Sequence, residues 1–455
     1  MTTSVGVAPG QRAPAPSVRP ARWRSRLEGA TTPARLGLLL ALLVVLSLAW
    51  GVLAALTADQ HASAASDVVA TSEPLSLDAE QIYTSLSDAD ATAANAFLAG
   101  GLEPAAARQR YQADITQAAI RIEAASALVG SSAARTQLPG HLAAQASAGG
   151  SAIGDDLAIL SGQLPVYTDE VGTARADNRL GLPLGAAYLR EASALLRGTL
   201  LPAASDIYTR ESALLTSASA QATGLPLLVV TVVAGLGIGY VLYRSSRWLT
   251  RHTHRMVNYG LLLAALVGLV SLVWLAAAFV AGRADLLHAQ QQGSAPVQAL
   301  ARAEVAALQA HADESLTLID NSGDDAYQRD YLGQQKLLGP GPGTLLAAVQ
   351  ASGVNGVAAD AQAWYQAHAA LRAKDDGGDH AAAVQSALTG DAAAKFARLS
   401  AALSDGIQTH QAVFAASART GRDAFTGVAA GMVVASLVMA AGCAWGLTRR
   451  LAEYR

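Results

Sequence analysis

The chain has 455 residues, of which 52% are hydrophobic and 15% are charged, and its formal net charge is −3. Its single cysteine, Cys443, excludes a framework of disulfide bonds, so the folded domains must be stabilised by packing alone. Four apolar runs without an ionisable side chain divide the chain, at residues 36–57, 225–243, 259–281 and 427–447.

The first apolar run follows a basic segment at 1–35 and predicts a membrane-spanning helix over 36–57. A helix rises about 1.5 Å per residue, so roughly 20 apolar residues cross a hydrocarbon core of about 30 Å. The preceding arginines and the small residues Ala62-Ser63-Ala64 also fit a secretory signal peptide with its cleavage site. The apolar stretch is longer than the usual core of a signal peptide, so we expect it to be retained as an anchor.

The polar segment 58–223 predicts a helical bundle, because the alternation of strands and the turns of hairpins are absent from it. Apolar residues recur at spacings of three and four, as in helices that pack side by side. These stripes comprise Ile82, Leu86, Ala89, Ala93 and Phe97, then Tyr111, Ile115, Ala118, Ile122, Ala125 and Val129. Breakers that should separate about four helices are Gly100-Gly101, Pro139-Gly140, Gly162–Pro165 and Gly181–Pro183.

Two further spans, at 224–243 and 258–281, flank a short connector at 244–257. In the first half Pro202 and Pro226 should kink the helix that leads into the membrane.

The second polar segment, 282–425, predicts another helical bundle, followed by a span at 426–447 and a tail at 448–455. The absence of proline from Ala381 to Leu447 favours one unbroken helix from the bundle through the membrane. Its apolar stripe comprises Leu388, Ala392, Phe396, Leu399, Leu403 and Ile407. Its expected breakers are Asn321–Asp325, Gly339–Gly343 and Lys374–Asp379.

Positive and negative side chains are concentrated in different segments. Together 1–35, 244–257 and 448–455 carry a formal charge of +11, whereas the two bundles carry −14. Short arginine-rich flanks stay on the cytoplasmic side, where they also meet the anionic inner leaflet. The sequence therefore predicts a multi-pass protein of the plasma membrane with both termini in the cytoplasm and both bundles extracytoplasmic.

The order span–bundle–span occurs twice, which indicates an internal duplication. Ala89-Asp90 in the first half corresponds to Ala312-Asp313 in the second, and Tyr111-Gln112-Ala113-Asp114 corresponds to Tyr327-Gln328-Arg329-Asp330. The predicted fold class is accordingly an all-α membrane protein with four transmembrane helices and two extracytoplasmic helical bundles in a duplicated plan.

The sequence lacks the common catalytic and nucleotide-binding motifs. It contains no His-Glu-x-x-His, no Gly-x-Ser-x-Gly elbow and no phosphate-binding loop that ends in Lys-Ser/Thr. The spans contain no Asp, Glu, Lys, Arg or His, which argues against a carrier, channel or pump. We therefore expect no enzymatic activity, no cofactor, no metal and no nucleic-acid partner.

The chain resembles the GlnX-type family of actinobacterial four-span membrane proteins over nearly its whole length. The resemblance rests on Ala89-Asp90-Ala91-Thr92-Ala93-Ala94, Phe97-Leu98, Gly100-Gly101, Glu103-Pro104, Tyr111-Gln112-Ala113-Asp114-Ile115, Ala312-Asp313-Glu314 and the closing segment 449–455. It implies two partners: an extracytoplasmic amino-acid-binding lipoprotein of the glutamine/aspartate type, and a cytosolic Ser/Thr kinase of the protein kinase G class.

Two functions fit these observations. The first is a transmembrane signal relay that couples amino-acid sensing by the binding protein to the kinase; the second is a non-catalytic envelope scaffold or accessory subunit. In a relay the cytoplasmic pieces are too small to be enzymes and must contact a partner. The contact residues that we expect are Arg244, Arg247, Trp248, Arg251 and Arg255, although these arginines would equally serve to fix the topology alone.

Overall fold

Helices and the turns between them make up the part of the chain that the computed structural model describes. The described residues are 32–69, 73–101, 103–135, 140–253, 258–320 and 325–452. Within these ranges there is no β-strand, and four helices are long and apolar enough to cross a membrane. The predicted fold class, an all-α membrane protein, is confirmed.

Helices are numbered here in chain order. The first half contains α1 (Thr32–Asp67), α2 (Glu73–Leu98), α3 (Ala105–Arg135), α4 (Gly140–Arg179), α5 (Leu184–Leu195), a π-helical turn (Leu196–Leu200), α6 (Leu201–Ala222) and α7 (Pro226–Thr253). The second half contains α8 (Tyr259–Ala289), a π-helical turn (Gln290–Ser294), α9 (Ala295–Ile319), α10 (Ala326–Leu338), α11 (Leu345–Ala351), α12 (Val357–Asp376), α13 (His380–Leu388), α14 (Asp391–Asp423) and α15 (Val428–Ala452).

The described residues form two compact units. A membrane unit comprises residues 32–55, 229–274 and 430–452, and a bundle unit comprises the described parts of 56–228 and 275–429. Both polar segments therefore contribute to one packed unit. The boundaries assigned to the individual bundles from the sequence stay predictions.

The apolar stripes form the core of the bundle unit. Ile82, Leu86 and Ala89 are fully buried, and so are Ala118 and Ala125. In the second segment the stripe on α14 is buried in the same way, at Ala392, Phe396, Leu399, Leu403 and Ile407. Helix-period spacing thus identified the faces that pack.

One predicted breaker is wrong. Gly162–Pro165 lies inside α4, which continues to Arg179. A proline in a helix costs about 3 kcal/mol because it lacks an N–H and clashes with the preceding turn. The buried stripe of α4 continues across this proline, with Leu160, Leu164 and Tyr167 all in the core, so packing on both sides outweighs that cost.

The unbroken helix expected after Ala381 is also wrong. The chain is interrupted between α13 and α14 at Gly390, and again between α14 and α15. At the second interruption Gly427 has a φ of +77°, a left-handed conformation that glycine adopts without steric cost. Glycine therefore ends these helices where proline is absent.

The two polar segments share their cores. Helix α2 packs against α9 of the second segment. Leu316 of α9 is buried in the core of the first segment, and Ala91 of α2 is buried in the core of the second. Because each core contains a buried residue of the other segment, the boundary between the segments is part of the hydrophobic interior.

Helices α8 and α15 of the membrane unit pack closely through glycine. A Cβ on Gly260 would collide with the carbonyl oxygen of Gly442 and with the backbone of Gly446. The Asn258 amide donates a hydrogen bond of 3.0 Å to the Gly446 carbonyl. Small residues that let helix backbones approach are a common means of association in membranes.

Candidate functional site

The candidate site is a charged cluster between the two polar segments, centred on Arg197. Nε of Arg197 lies 3.5 Å from Oδ2 of Asp90 on α2, and Nη1 donates to Oδ1 of Asp313 on α9. The hydroxyl of Ser193 on α5 donates to the other oxygen of Asp90 at 2.6 Å. One guanidinium therefore connects both segments. We call Asp90, Ser193, Arg197 and Asp313 the Arg197 junction.

A local irregularity of the helix places Arg197. The residue lies in the π-helical turn Leu196–Leu200, where the N–H of Leu201 bonds to the carbonyl of Leu196. Pro202 follows directly, and its ring would clash with the carbonyl four residues earlier in a regular helix. Leu196 and Leu200 are fully buried and fix the turn against the core. Such π-turns occur frequently at functional sites.

The carboxylates of the junction are buried and outnumber its single guanidinium. The side chains of Asp313 and Asp90 are 1% and 4% exposed. Burial raises the pKa of Asp313 to about 7, although the guanidinium of Arg197 acts in the opposite direction. Asp330 adds to the negative potential there. The protonation of the junction can therefore change near neutral pH.

Helix α9 carries a second buried cluster next to the junction. Glu314, which is fully buried, lies 2.7 Å from Nδ1 of His368 and 3.3 Å from Nδ1 of His311. Burial acts to raise the pKa of Glu314, but the hydrogen bond with His368 and the closeness of His311 outweigh burial and lower the pKa to about 2. Two consecutive residues of α9 therefore have partners in different segments. Asp313 pairs with Arg197 of the first segment, and Glu314 pairs with His368 of the second.

The aromatic residues around His368 belong to the core. Its ring stacks on Tyr331 with centroids 3.6 Å apart, and Trp364 is fully buried beside Phe396. Among the described residues no group of three or more His, Cys, Asp or Glu could hold a metal ion. The cluster therefore stabilises the packing of α9 against α10, α12 and α14.

The expected cytoplasmic contact residues lie on or after α7. Arg244 and Arg247 are exposed, and Nη1 of Arg247 donates to the hydroxyl of Tyr243 at 3.0 Å. Trp248 is partly buried. The backbone of Arg251 continues α7, whereas its side chain and all of Arg255 lie outside the described residues. Positions 244, 247, 248 and 251 fall on one face of a helix, and the side chains that the structure describes there are those of Arg244, Arg247 and Trp248.

Sequence reasoning named Asp90 and Asp313 as corresponding positions but did not assign them a site, and it missed Arg197. A signal was present for one of the acids, because Asp90 directly follows Ala89, a member of the buried stripe, and this position could have indicated a carboxylate near the core. The partner of these acids could not be inferred, because Arg197 meets them only through tertiary packing.

Comparison with known proteins gives one match. Residues 64–220 match the family model of an actinobacterial sensor domain. The matched segment runs from the end of α1 through α6 and includes Asp90, Ser193 and Arg197. No curated protein and no solved structure matches the chain significantly. The match supports a sensor protein of the actinobacterial kind and a role in sensing or signalling.

Proposed function

We propose that the protein is a transmembrane signal relay. An extracytoplasmic binding protein loaded with an amino acid of the glutamine/aspartate type docks on the bundle unit, and a cytosolic Ser/Thr kinase binds the arginine face of α7. Support comes from the match to a sensor domain, from the four apolar helices and from the sorting of charge along the chain.

The observation that carries the proposal is the Arg197 junction. Two buried carboxylates compete for one guanidinium at the boundary between the segments. A buried ion pair adds little net stability, but a packing that separates the two partners leaves an uncompensated buried charge and is strongly disfavoured. A partner that docks better on one packing than on the other shifts the equilibrium by that difference in affinity.

The fold offers a route for the shift. Helices α1 and α8 each contribute residues to both units. A small translation or rotation of a helix is a common form of switching. In this proposal a change at the boundary between α2 and α9 moves such helices and alters the face of α7 that the kinase binds.

The test is capture of partners by the full-length protein in detergent, with and without L-glutamine or L-aspartate. We expect the amino acid to change the capture of the binding protein and of the kinase together. Capture of neither partner under either condition would refute the relay and favour an envelope scaffold.

A variant connects this test to the junction. Arg197→Lys keeps the positive charge but replaces a planar guanidinium, which can contact two carboxylates, by a single ammonium. We expect it to abolish the effect of the amino acid on kinase capture. Arg190→Lys is the matched control, because Arg190 also joins the segments, through Asp320 at 3.3 Å, but is 40% exposed. Equal behaviour of the two variants would contradict a role for the junction.

A further inference from the structure

The turn between α4 and α5 exposes an apolar sequence to solvent. Residues 180–184 are Leu-Gly-Leu-Pro-Leu, and all five are exposed. The exposed fraction is 73% for Leu180, 46% for Leu182 and 56% for Leu184. Single exposed apolar residues are common on protein surfaces, whereas contiguous apolar surface marks a site of interaction.

This turn lies far along the bundle helices from the connection to the membrane unit. Helix α5, the π-helical turn and α6 follow one another without interruption from Leu184 to Ala222. At about 1.5 Å per residue, this helical stretch is on the order of 55 Å long. Beyond Ala222 the chain continues into α7 and the membrane unit. The apolar turn is therefore at the opposite end of these helices from that connection.

The loop between α2 and α3 lies beside the turn and extends its apolar surface. Nδ2 of Asn178 donates to the carbonyl of Phe97 at 2.8 Å, and a Cβ on Gly101 would lie 3.5 Å from the backbone of Arg179. The exposed residues of this loop include Gly101, Pro104, Ala105 and Ala106. We call residues 101, 104–106 and 180–184 the apolar tip.

The leucines of the apolar tip are presented by an ordered turn. The carbonyl of Asp177 accepts a hydrogen bond from the N–H of Leu182 at 2.9 Å, and Gly181 has a φ of +70°, which glycine adopts without steric cost. A Cβ on Gly185 would lie 2.8 Å from the carbonyl oxygen of Ala174, so α4 and α5 approach closely behind the turn. A surface that is already ordered loses little conformational entropy when a partner binds.

The border of the apolar tip carries positive charge. Arg179 is exposed and forms no ion pair within the described residues. Arg108, in the first turn of α3, is 44% exposed. The nearby carboxylate of Glu103 is 6% exposed and lies 3.2 Å from both Arg108 and Arg175, and Asp177 is partly buried. The two polar segments together carry −14, so this border is cationic within an acidic unit.

This distribution of charge selects the kind of partner. Two copies of the chain that met tip to tip would bring Arg179 and Arg108 of each copy together, and like charges across an interface are unfavourable. A protein whose apolar face is bordered by carboxylates matches both the leucines and the arginines. The acidic remainder of the bundle repels such a protein, so the charges direct it to the apolar tip.

We propose that the apolar tip is the docking surface for the extracytoplasmic amino-acid-binding protein, whose contacting face is apolar with an acidic border. This inference rests on the proposed relay and adds the place at which its outer partner binds. Leu180, Leu182 and Leu184 form the apolar centre of the interface, and Arg179 pairs with a carboxylate at its edge. An apolar centre within a polar rim is the usual arrangement of protein interfaces.

The apolar tip is also connected to the Arg197 junction. Leu184 begins α5, which continues directly into the π-helical turn that carries Arg197. The tip therefore lies within residues 64–220, the part of the chain that matches the sensor-domain family. A partner that binds the tip can thus act on the junction through one continuous helix.

The test is capture of lipoproteins from the host cell envelope by the full-length protein in detergent, in the presence of L-glutamine or L-aspartate, with identification by mass spectrometry. We expect the parent protein to capture an amino-acid-binding lipoprotein. A variant with Leu180→Ser, Leu182→Ser and Leu184→Ser should reduce this capture about tenfold or more, because it removes the centre of the interface. Its thermal midpoint should equal that of the parent, since all three side chains are exposed.

The matched control combines Leu332→Ser with Leu337→Ser. These two leucines of α10 are each 50% exposed but belong to the second polar segment, outside the apolar tip. The control should capture the lipoprotein like the parent. Equal loss in the control would show that capture depends on exposed leucines in general and would overturn the assignment to the tip.

Charge reversal at the border provides a second readout. Arg179→Glu should weaken capture and make it less sensitive to added salt, because an attractive charge pair is removed. Arg398→Glu, at an exposed arginine of α14, is the control for the change in net charge. Equal effects of the two reversals would contradict a specific role for the border of the tip.

The outcomes separate this inference from the relay. Capture by the parent together with undiminished capture by the leucine variant overturns the apolar tip and leaves the relay in place. Failure of the parent to capture an amino-acid-binding lipoprotein refutes both. Dimers of the parent, or its binding to phospholipid vesicles, that the three leucine substitutions abolish would assign the tip to a second copy or to lipid and would overturn the proposal.

Discussion

Asp90 of α2 and Asp313 of α9, which are 223 positions apart, share a single cation, the guanidinium of Arg197. They are also the positions that the internal duplication, itself still a prediction, makes equivalent. The shared cation ties corresponding helices of the two segments together. Because both acids are buried, the arrangement is sensitive to any change in charge or in helix position.

The first prediction concerns removal of this cation. Arg197→Met leaves two buried carboxylates without their cation, and breaking a buried ion pair on one side costs about 3–5 kcal/mol. We expect a large fall in the midpoint of unfolding of the detergent-solubilised protein, followed by circular dichroism.

Arg190→Met is the control for Arg197→Met. The pair of Arg190 and Asp320 also spans the segments but is largely solvated, and exposed pairs contribute about 0–1 kcal/mol. A destabilisation as large as that of Arg197→Met would show that the loss of any ion pair between the segments has the same effect.

The second prediction concerns pH. The folded-state pKa of Asp313 is raised from 3.8 to about 7, so between these values the folded state binds more protons than the unfolded state. The free energy of unfolding should therefore decrease as pH rises from about 4 to about 7. Asp313→Asn should reduce this slope.

The slope has a further contribution from Glu304 of α9, because burial raises the pKa of this carboxyl group to about 8, and Glu304→Gln would reduce that contribution separately. The relevant measurement is denaturant unfolding of the three proteins at a series of pH values. An unchanged slope in Asp313→Asn would contradict the raised pKa of this carboxyl group.

The third prediction concerns the glycine contact in the membrane unit. Gly260→Ala puts a methyl group against the backbone of Gly442 and Gly446, and overpacking of this kind costs about 1–3 kcal/mol. Gly239→Ala is the matched control in a neighbouring span, because no atom lies within 4 Å of its added Cβ. Thermal unfolding in detergent should separate the two, and equal midpoints would rule out close packing of α8 on α15.

The fourth prediction concerns the kinase. Glutamine in place of Arg244, Arg247, Arg251 and Arg255 removes four positive charges from the α7 surface and its continuation. We expect kinase capture to be lost while the topology is retained. Glutamine at Arg449 and Arg450, which belong to the last helix, α15, is the control. Undiminished capture by the fourfold variant, with topology verified, would exclude the surface as the docking site.

The sequence was sufficient to predict the membrane spans and the helix faces that pack. A span is indicated by the absence of charge over about 20 residues and a packed face by the spacing of apolar residues, and both are local properties. It was insufficient where tertiary packing decides. Pro165 remains helical because Leu164 and Tyr167 are buried on either side of it, and Arg197 is placed by a π-turn that precedes Pro202.

The most direct test of the account determines on which side of the membrane the bundle unit lies and on which side the arginine surface of α7 lies. In a protein with Cys443→Ala, single cysteines at the exposed positions Asp169→Cys, Lys336→Cys and Arg247→Cys can be labelled with a membrane-impermeant maleimide. The account predicts that the first two react in intact cells and that Arg247→Cys reacts only after lysis. Labelling of Arg247→Cys in intact cells, with the bundle positions protected, would contradict it.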